Sequence, residues 1–239
     1  VISGPNAGGK SVCLQTVGLI QFMLQCGLLV PLLEGSKTGI FQRILIDIGD
    51  EQSLENDLST YSSHLMNMNS FLKFATKKTL FLIDEFGTGT EPQFGGAIAE
   101  AILRELSKKR SFGIITTHYT NLKKFAEKTP GVINGAMRFD ITKMEPLFEL
   151  HIGKPGSSFA LEIAGKIGLP NEIIQYAKKG IGTSHVNFER LLGELEEEKK
   201  AFELQKRKLS EKESKYSRLK IKASTTRMSC SPKINMDLR

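Results

Sequence analysis

Gly4 to Ser11 of this chain read G-P-N-A-G-G-K-S. The spacing fits G-x-x-x-x-G-K-[ST], the pattern of a loop that wraps phosphate. In such a loop, backbone N–H groups and a helix N-terminus face the anion. Gly4, Gly8 and Gly9 let the main chain approach closely, with Pro5, Asn6 and Ala7 in the loop between them. Lys10 is expected to reach the β- and γ-phosphates, and Ser11 to offer its hydroxyl to Mg²⁺. A second signal lies 74 residues beyond Lys10, where the apolar run T-L-F-L-I ends in Asp84-Glu85. Asp84 would support the metal, directly or through water. Glu85 would polarise an attacking water. A third is His118, just past the run Phe112–Thr116, at the sheet edge where ligands bind, as expected of a γ-phosphate sensor. Each signal has a bland counterpart: a glycine-rich turn, a polar strand end, a loop histidine. Their combination favours the nucleotide site. His64, His151 and His185 lack metal-ligand spacing, and no chemistry is assigned to them. Met66 and Met68 read as packing.

These side chains need a scaffold. Val1-Ile2 reads as the stub of a buried strand leading into the loop. Val12 to Leu33 carries no charge and is long enough to suggest a membrane span. Gln15, Gln21, Gln25 and Pro31 argue against that, and a core helix ending near Gly27 is expected. Ile40–Ile48 has strand length, and Ser62–Lys73 reads as a helix. Thr79–Ile83 is a continuous apolar run, typical of a strand buried on both faces. Gly95–Leu106 reads as a helix and Phe112–Thr116 as a further strand. Strands alternating with helices predict an α/β fold with a mostly parallel sheet and flanking helices. Pro146–Ile152 is expected as an edge strand, then short helices over Phe159–Ile167 and Asn171–Gly180. Phe188, Leu195, Phe202, Leu209 and Tyr216 recur every seven residues, but the companion positions Glu198, Gln205 and Lys212 are polar. That supports a long charged helix and only weakly a coiled coil.

Composition sets outer limits. With 40% hydrophobic and 25% charged residues, the 239-residue chain can bury one large core and carry an appendage. Three scattered cysteines suit neither a disulfide framework nor zinc, so a reducing, cytoplasmic setting is the expectation. No signal peptide is read at the start, and no membrane partner is expected. Net charge is +7, and the last 54 residues hold 14 basic against 9 acidic groups. That segment could meet nucleic acid, or be only a solvated helix face.

The ordered strings D-I-G-D-E-Q-S-L (Asp47–Leu54), S-T-Y-S-S-H-L (Ser59–Leu65), L-I-D-E-F-G-T-G-T-E-P (Leu82–Pro92), T-T-H-Y-T-N-L-K (Thr116–Lys123) and G-K-P-G-S-S-F-A-L-E-I-A (Gly153–Ala164) resemble the MutS family of ABC-like ATPases. Their wording is closest to its second bacterial branch, associated with suppression of recombination and with ribosome rescue. The likeness spans about residues 1–182. It implies a P-loop NTPase fold, ATP and Mg²⁺ as ligands, and ATP hydrolysis in a homodimer. It makes Gly4–Ser11 the Walker A loop and Asp84-Glu85 the Walker B pair. Asp50, Glu51 and Gln52 become a Q-loop, Gly87–Pro92 a D-loop and His118 the switch histidine. Ser59 and Thr60 fall in the signature segment, where Ser59 would face the γ-phosphate bound by the partner chain. DNA, branched or mismatched, and the ribosome are the implied partners of an intact relative, in recombination control and repair.

The expected organisation is a P-loop core over 1–152 with its first strand truncated, a helical dimerisation segment over 153–185, a charged heptad helix over 186–222 and a disordered tail over 223–239. The family's clamp and lever regions and its nuclease-like domain are not recognised, so a fragment is expected. Two rivals stand beside the ATPase. One is a non-catalytic module binding nucleic acid or the ribosome through its basic helix. The other is an ABC-transporter subunit, which L-S-T-Y-S-S-H in place of an L-S-G-G-Q signature disfavours.

Overall fold

The computed structural model describes residues 1–49, 57–140 and 143–181, and, in a separate C-terminal unit, 202, 205–206 and 208–213. In the first unit Ile2–Ser3 form β1, and a 3-10 turn at Asn6–Gly8 leads into α1, Lys10–Gln25. Then follow β2 (Arg43–Asp47), α2 (Asp57–Phe74), β3 (Thr79–Ile83), α3 (Pro92–Lys108), β4 (Phe112–Ile115), α4 (Thr120–Lys128), β5 (Gly135–Asp140), β6 (Glu145–Ile152), α5 (Ala160–Ile167) and α6 (Asn171–Ile181).

β2, β3 and β4 form one parallel sheet with Asp47 level with Ile83 and Ile83 level with Ile115. β1 pairs in parallel with β5, and β6 runs antiparallel to β5. The two sheets meet where Ile2 bridges Thr116 and where the Thr117 N–H donates to the Ile2 carbonyl at 3.1 Å. Short as it is, β1 is therefore hydrogen-bonded on both sides. All five residues of β3 are buried. Successive side chains of a strand point to opposite faces. Phe81 and Ile83 join Met68, Phe71, Leu103 and Leu106 from α2 and α3, while Leu80 and Leu82 meet Leu14 of α1. The sheet is thus covered on both faces, and each fully buried apolar side chain contributes about 1.5–3 kcal/mol.

The uncharged stretch forms a helix over Lys10–Gln25 and turns at Cys26-Gly27, close to the expected end near Gly27. It buries Leu14, Gly18 and Gln21, while Val12, Leu19 and Phe22 are exposed. Two elements were not foreseen. α4 carries three lysines among nine residues, which mask the short apolar face of Leu122 and Ala126, and β5 opens on a glycine. α5 and α6 fall where short helices were expected, with Ile167, Ile173 and Tyr176 exposed. No helix among the described residues is long and apolar enough to cross a membrane. In the second unit the described residues are helical, and the seam residues Phe202 and Leu209 are exposed. The rest of the 186–222 stripe and the 223–239 tail lie outside the described residues.

Candidate nucleotide site

The loop is built from its glycines. Gly4 has φ +144° and Gly9 +82°, values an L side chain rarely adopts. Gly9 starts α1 with no side-chain cap, and the first turn of α1 holds no acidic residue. The helix end is left with its N–H groups and its positive dipole end for an anion. A Cβ on Gly9 would stand 2.8 Å from the ring of Phe148, an exposed residue of β6 that itself has φ +52°.

Lys10 is buried. Its ammonium donates to the carbonyls of Gly4 at 3.1 Å and Pro5 at 3.0 Å, and to Asn6 Oδ1 at 3.4 Å. Burial pushes its pKa down to about 8, against the opposing pull of the Glu85 and Asp84 carboxylates. Those two acids therefore stand close enough to the loop lysine to favour its charged form. Glu85 holds a left-handed backbone, φ +44°, where a non-glycine residue stores about 1–3 kcal/mol. Its conformation is fixed by its N–H, which donates to Thr116 Oγ1 at 2.8 Å and to Asp84 Oδ1 at 3.2 Å. The Thr116 hydroxyl donates in turn to Asp84 Oδ1. Such strain, over-determined by neighbours, concentrates at functional sites.

His118 stands at the same edge. Burial first, then the charges of Lys10 and Lys123, bring its pKa down to about 4, with Asp84 pulling the other way. The imidazole is therefore neutral near pH 7, and its buried Nε2 has no hydrogen-bond partner among the described residues. An unpartnered buried polar atom is costly, and a γ-phosphate oxygen is a group that would satisfy an N–H there.

The residues suit a nucleoside triphosphate with Mg²⁺. The left-handed glycines, the bare helix end and the buried ammonium make an anion cradle. Among the described residues no three His, Cys, Asp or Glu side chains gather as a metal cage. Mg²⁺ asks for less: one or two protein oxygens, water and phosphate. The half-buried Ser11 and Asp84 carry oxygens that could fill that donor set.

Gly4–Ser11, Asp84, Glu85 and His118 thus converge on one sheet edge. Ser59 lies in the first turn of α2, with its side chain outside what is described, as is that of Thr60. Asp50, Glu51 and Gln52 lie outside the described residues. Several working residues were missed. Thr116 orients both acids. Tyr119 donates to the Gly87 carbonyl at 3.1 Å and holds the G-T-G-T loop. Lys123, buried, donates to the Gly156 carbonyl at 3.0 Å, and the Gly156 N–H donates to Ser3 Oγ at 2.8 Å. That pins the G-K-P-G-S-S segment beside β1. Thr116, Tyr119 and Lys123 all stand in the string T-T-H-Y-T-N-L-K, in which sequence alone gives a role only to the histidine. His64, given no role, is bonded to Asp47.

A glycine-rich loop opening a helix at the carboxyl edge of a parallel sheet, beside a buried strand ending in two acids, defines a P-loop α/β module. The sequence profile of MutS domain V matches residues 1–183, and the chain belongs to the MutS family. It is 45% identical over 196 residues to an endonuclease MutS2 of Thermomicrobium roseum, covering 82% of this chain and 25% of that protein. It is 46% identical over 206 residues to one from Lachnoclostridium phytofermentans, covering 86% and 26%. The endonuclease MutS2 of Clostridium kluyveri matches over 234 residues at 41% identity, covering 95% and 30%. The chain thus spans between a quarter and a third of the length of these relatives.

Proposed function

We propose that the chain binds and hydrolyses ATP as a MutS-type module that pairs with a second copy around two nucleotides, and couples nucleotide state to a grip on DNA or the ribosome in recombination control. The observation that carries this reading is the shared electrostatic environment of Lys10, Asp84, Glu85 and His118 at one edge. Titratable groups brought by three separate stretches of sequence have no evident structural use there.

Gly4, Pro5, Asn6, Ala7, Gly8 and Gly9 wrap the phosphates with main-chain N–H groups. Lys10 withdraws its ammonium from the loop carbonyls to meet β- and γ-oxygens. Ser11 and Asp84 would hold Mg²⁺, which would supply neutralisation of phosphate charge. Glu85, exposed and aimed by Thr116, accepts the proton of an attacking water. His118 donates as a neutral imidazole to a γ-phosphate oxygen. Ser59 comes from the other chain. Catalysis on this reading is positioning and charge stabilisation. The dimer, through the 153–185 helices, and a cytoplasmic setting belong to the same proposal. The exposed Ile167, Ile173 and Tyr176 support it, as apolar groups in want of cover.

Titration of the chain with ATP and Mg²⁺ tests the reading. Saturable binding that Lys10→Ala weakens by about tenfold or more, the scale of a lost charge-assisted contact, supports it. No affinity for ATP overturns it in favour of the non-catalytic module.

A further inference from the structure

Asp47 is a buried carboxylate with no part in the proposed reaction. It closes β2 with 7% of its surface exposed, and a carboxylate so placed needs partners. Both its oxygens have one, and both partners come from the same helix. His64 Nδ1 lies 2.8 Å from Oδ2. A carboxylate only accepts, so Nδ1 carries the hydrogen. Asn67 Nδ2 donates to Oδ1 at 2.8 Å. His64 and Asn67 are three residues apart and share one face of α2. The main chain of Asp47 is committed elsewhere: its carbonyl accepts from the Asp84 N–H at 2.8 Å. Asp84 is bonded to Thr116, and Thr116 to the N–H of Glu85. One residue therefore ties α2 by its side chain and the acidic pair by its backbone. α2 is the helix whose first turn carries Ser59, about 7.5 Å of axial rise from His64.

We infer that Asp47, His64 and Asn67 form a rigid joint that keeps the Ser59 end of α2 in fixed register with Asp84-Glu85, so that each chain's serine is offered to its partner in a position set by its own nucleotide edge. This rests on the reading that Ser59 completes the site of the other chain. His64 and Asn67 are positioning residues and touch no nucleotide. The apolar side of α2 is secured separately, by Met68 and Phe71 in the core. Loss of the joint therefore shifts the end of the helix without releasing the helix.

Mixed pairs of the chain separate the roles. One chain carries Lys10→Ala and keeps Ser59, and the other carries Ser59→Ala and keeps Lys10. Mixing them restores a single complete site. His64→Ala on the serine-donating chain is expected to lower ATP turnover about tenfold with KM for ATP within about twofold, as for a misplaced catalytic group. The same change on the lysine-bearing chain is expected to cost less than about twofold, since the serine it displaces is already absent. His64→Asn, whose amide can reproduce the Nδ1 donor, is expected to recover most of the loss. Equal loss in both placements, no loss in either, or an asparagine variant as poor as the alanine one overturns the joint. A mixture with no more turnover than its parts has a different signature, independent of His64. It overturns the composite site, and the joint with it.

Discussion

Lys10 is the residue on which most of the account converges, and its titration makes the account measurable. Its pKa of about 8 stands below the ordinary 10.5 because burial penalises the ammonium. Between those two values the unfolded chain holds a proton that the folded chain has released. The burial cost is therefore complete below about pH 8 and fades as pH rises toward 10.5. A triphosphate placed against Nζ favours the charged form and raises the pKa again. Binding of ATP above about pH 8 should then take up a proton, and affinity should fall as pH rises further. Calorimetric titration at about pH 8.5 in two buffers of different ionisation enthalpy reads this directly, and Lys10→Ala should abolish the uptake. Equal heats in both buffers would contradict the assignment of Lys10 to the phosphates. The lysine was legible in the sequence because glycine spacing announces it. The residues that aim its partners were not. Thr116 bonds to Asp84 and Glu85 across 32 and 31 positions, and Asp47 meets His64 across 17. Such pairs exist only once strand register is set.

At the scale of elements, close backbone approach governs how the G-T-G-T-E-P loop enters α3. Glu91 caps the helix by accepting from the Phe94 N–H at 3.2 Å, and Pro92 takes the first helical position, where its missing N–H costs nothing. Gly87 and Gly95 then touch. A Cβ on Gly95 would stand 2.1 Å from the Gly87 carbonyl oxygen, a backbone atom that cannot swing aside. Gly95→Ala should destabilise the fold by about 1–3 kcal/mol, read as a lowered urea midpoint with an unchanged slope. Wild-type stability would show that the loop does not pack as described. The elements readable from sequence were those with a plain apolar pattern, the continuous run of β3, buried along its whole length, and the one-sided period of α3. α4 was hidden by its lysines, although Lys123 is buried. α1 misled in the opposite sense. It was expected as a core helix, yet Val12, Leu19 and Phe22 are exposed, because composition records what a surface is made of and not what covers it.

For the whole molecule, the sheet brings together groups that lie far apart in sequence. β1 carries the loop, β3 the acids and β4 the histidine, and all three strands run the same way so that their carboxyl ends share an edge. That convergence is what a parallel sheet provides, and it is why order and spacing of motifs revealed the fold class so early. Pairing with a second copy leaves no comparable trace in one chain. It is inferred from Ser59 and from the exposed apolar groups of α5 and α6. The relatives matched are three to four times longer, so coupling to DNA or the ribosome belongs to the proposal. Everything in it depends on chemistry at Glu85. The decisive measurement is steady-state ATP turnover by the chain beside its Glu85→Gln variant, with ATP affinity determined for both. The account predicts turnover about 10²–10⁴-fold lower in the variant, the loss expected for a general base, with ATP affinity within a fewfold of the parent. Equal turnover in the two chains would contradict it.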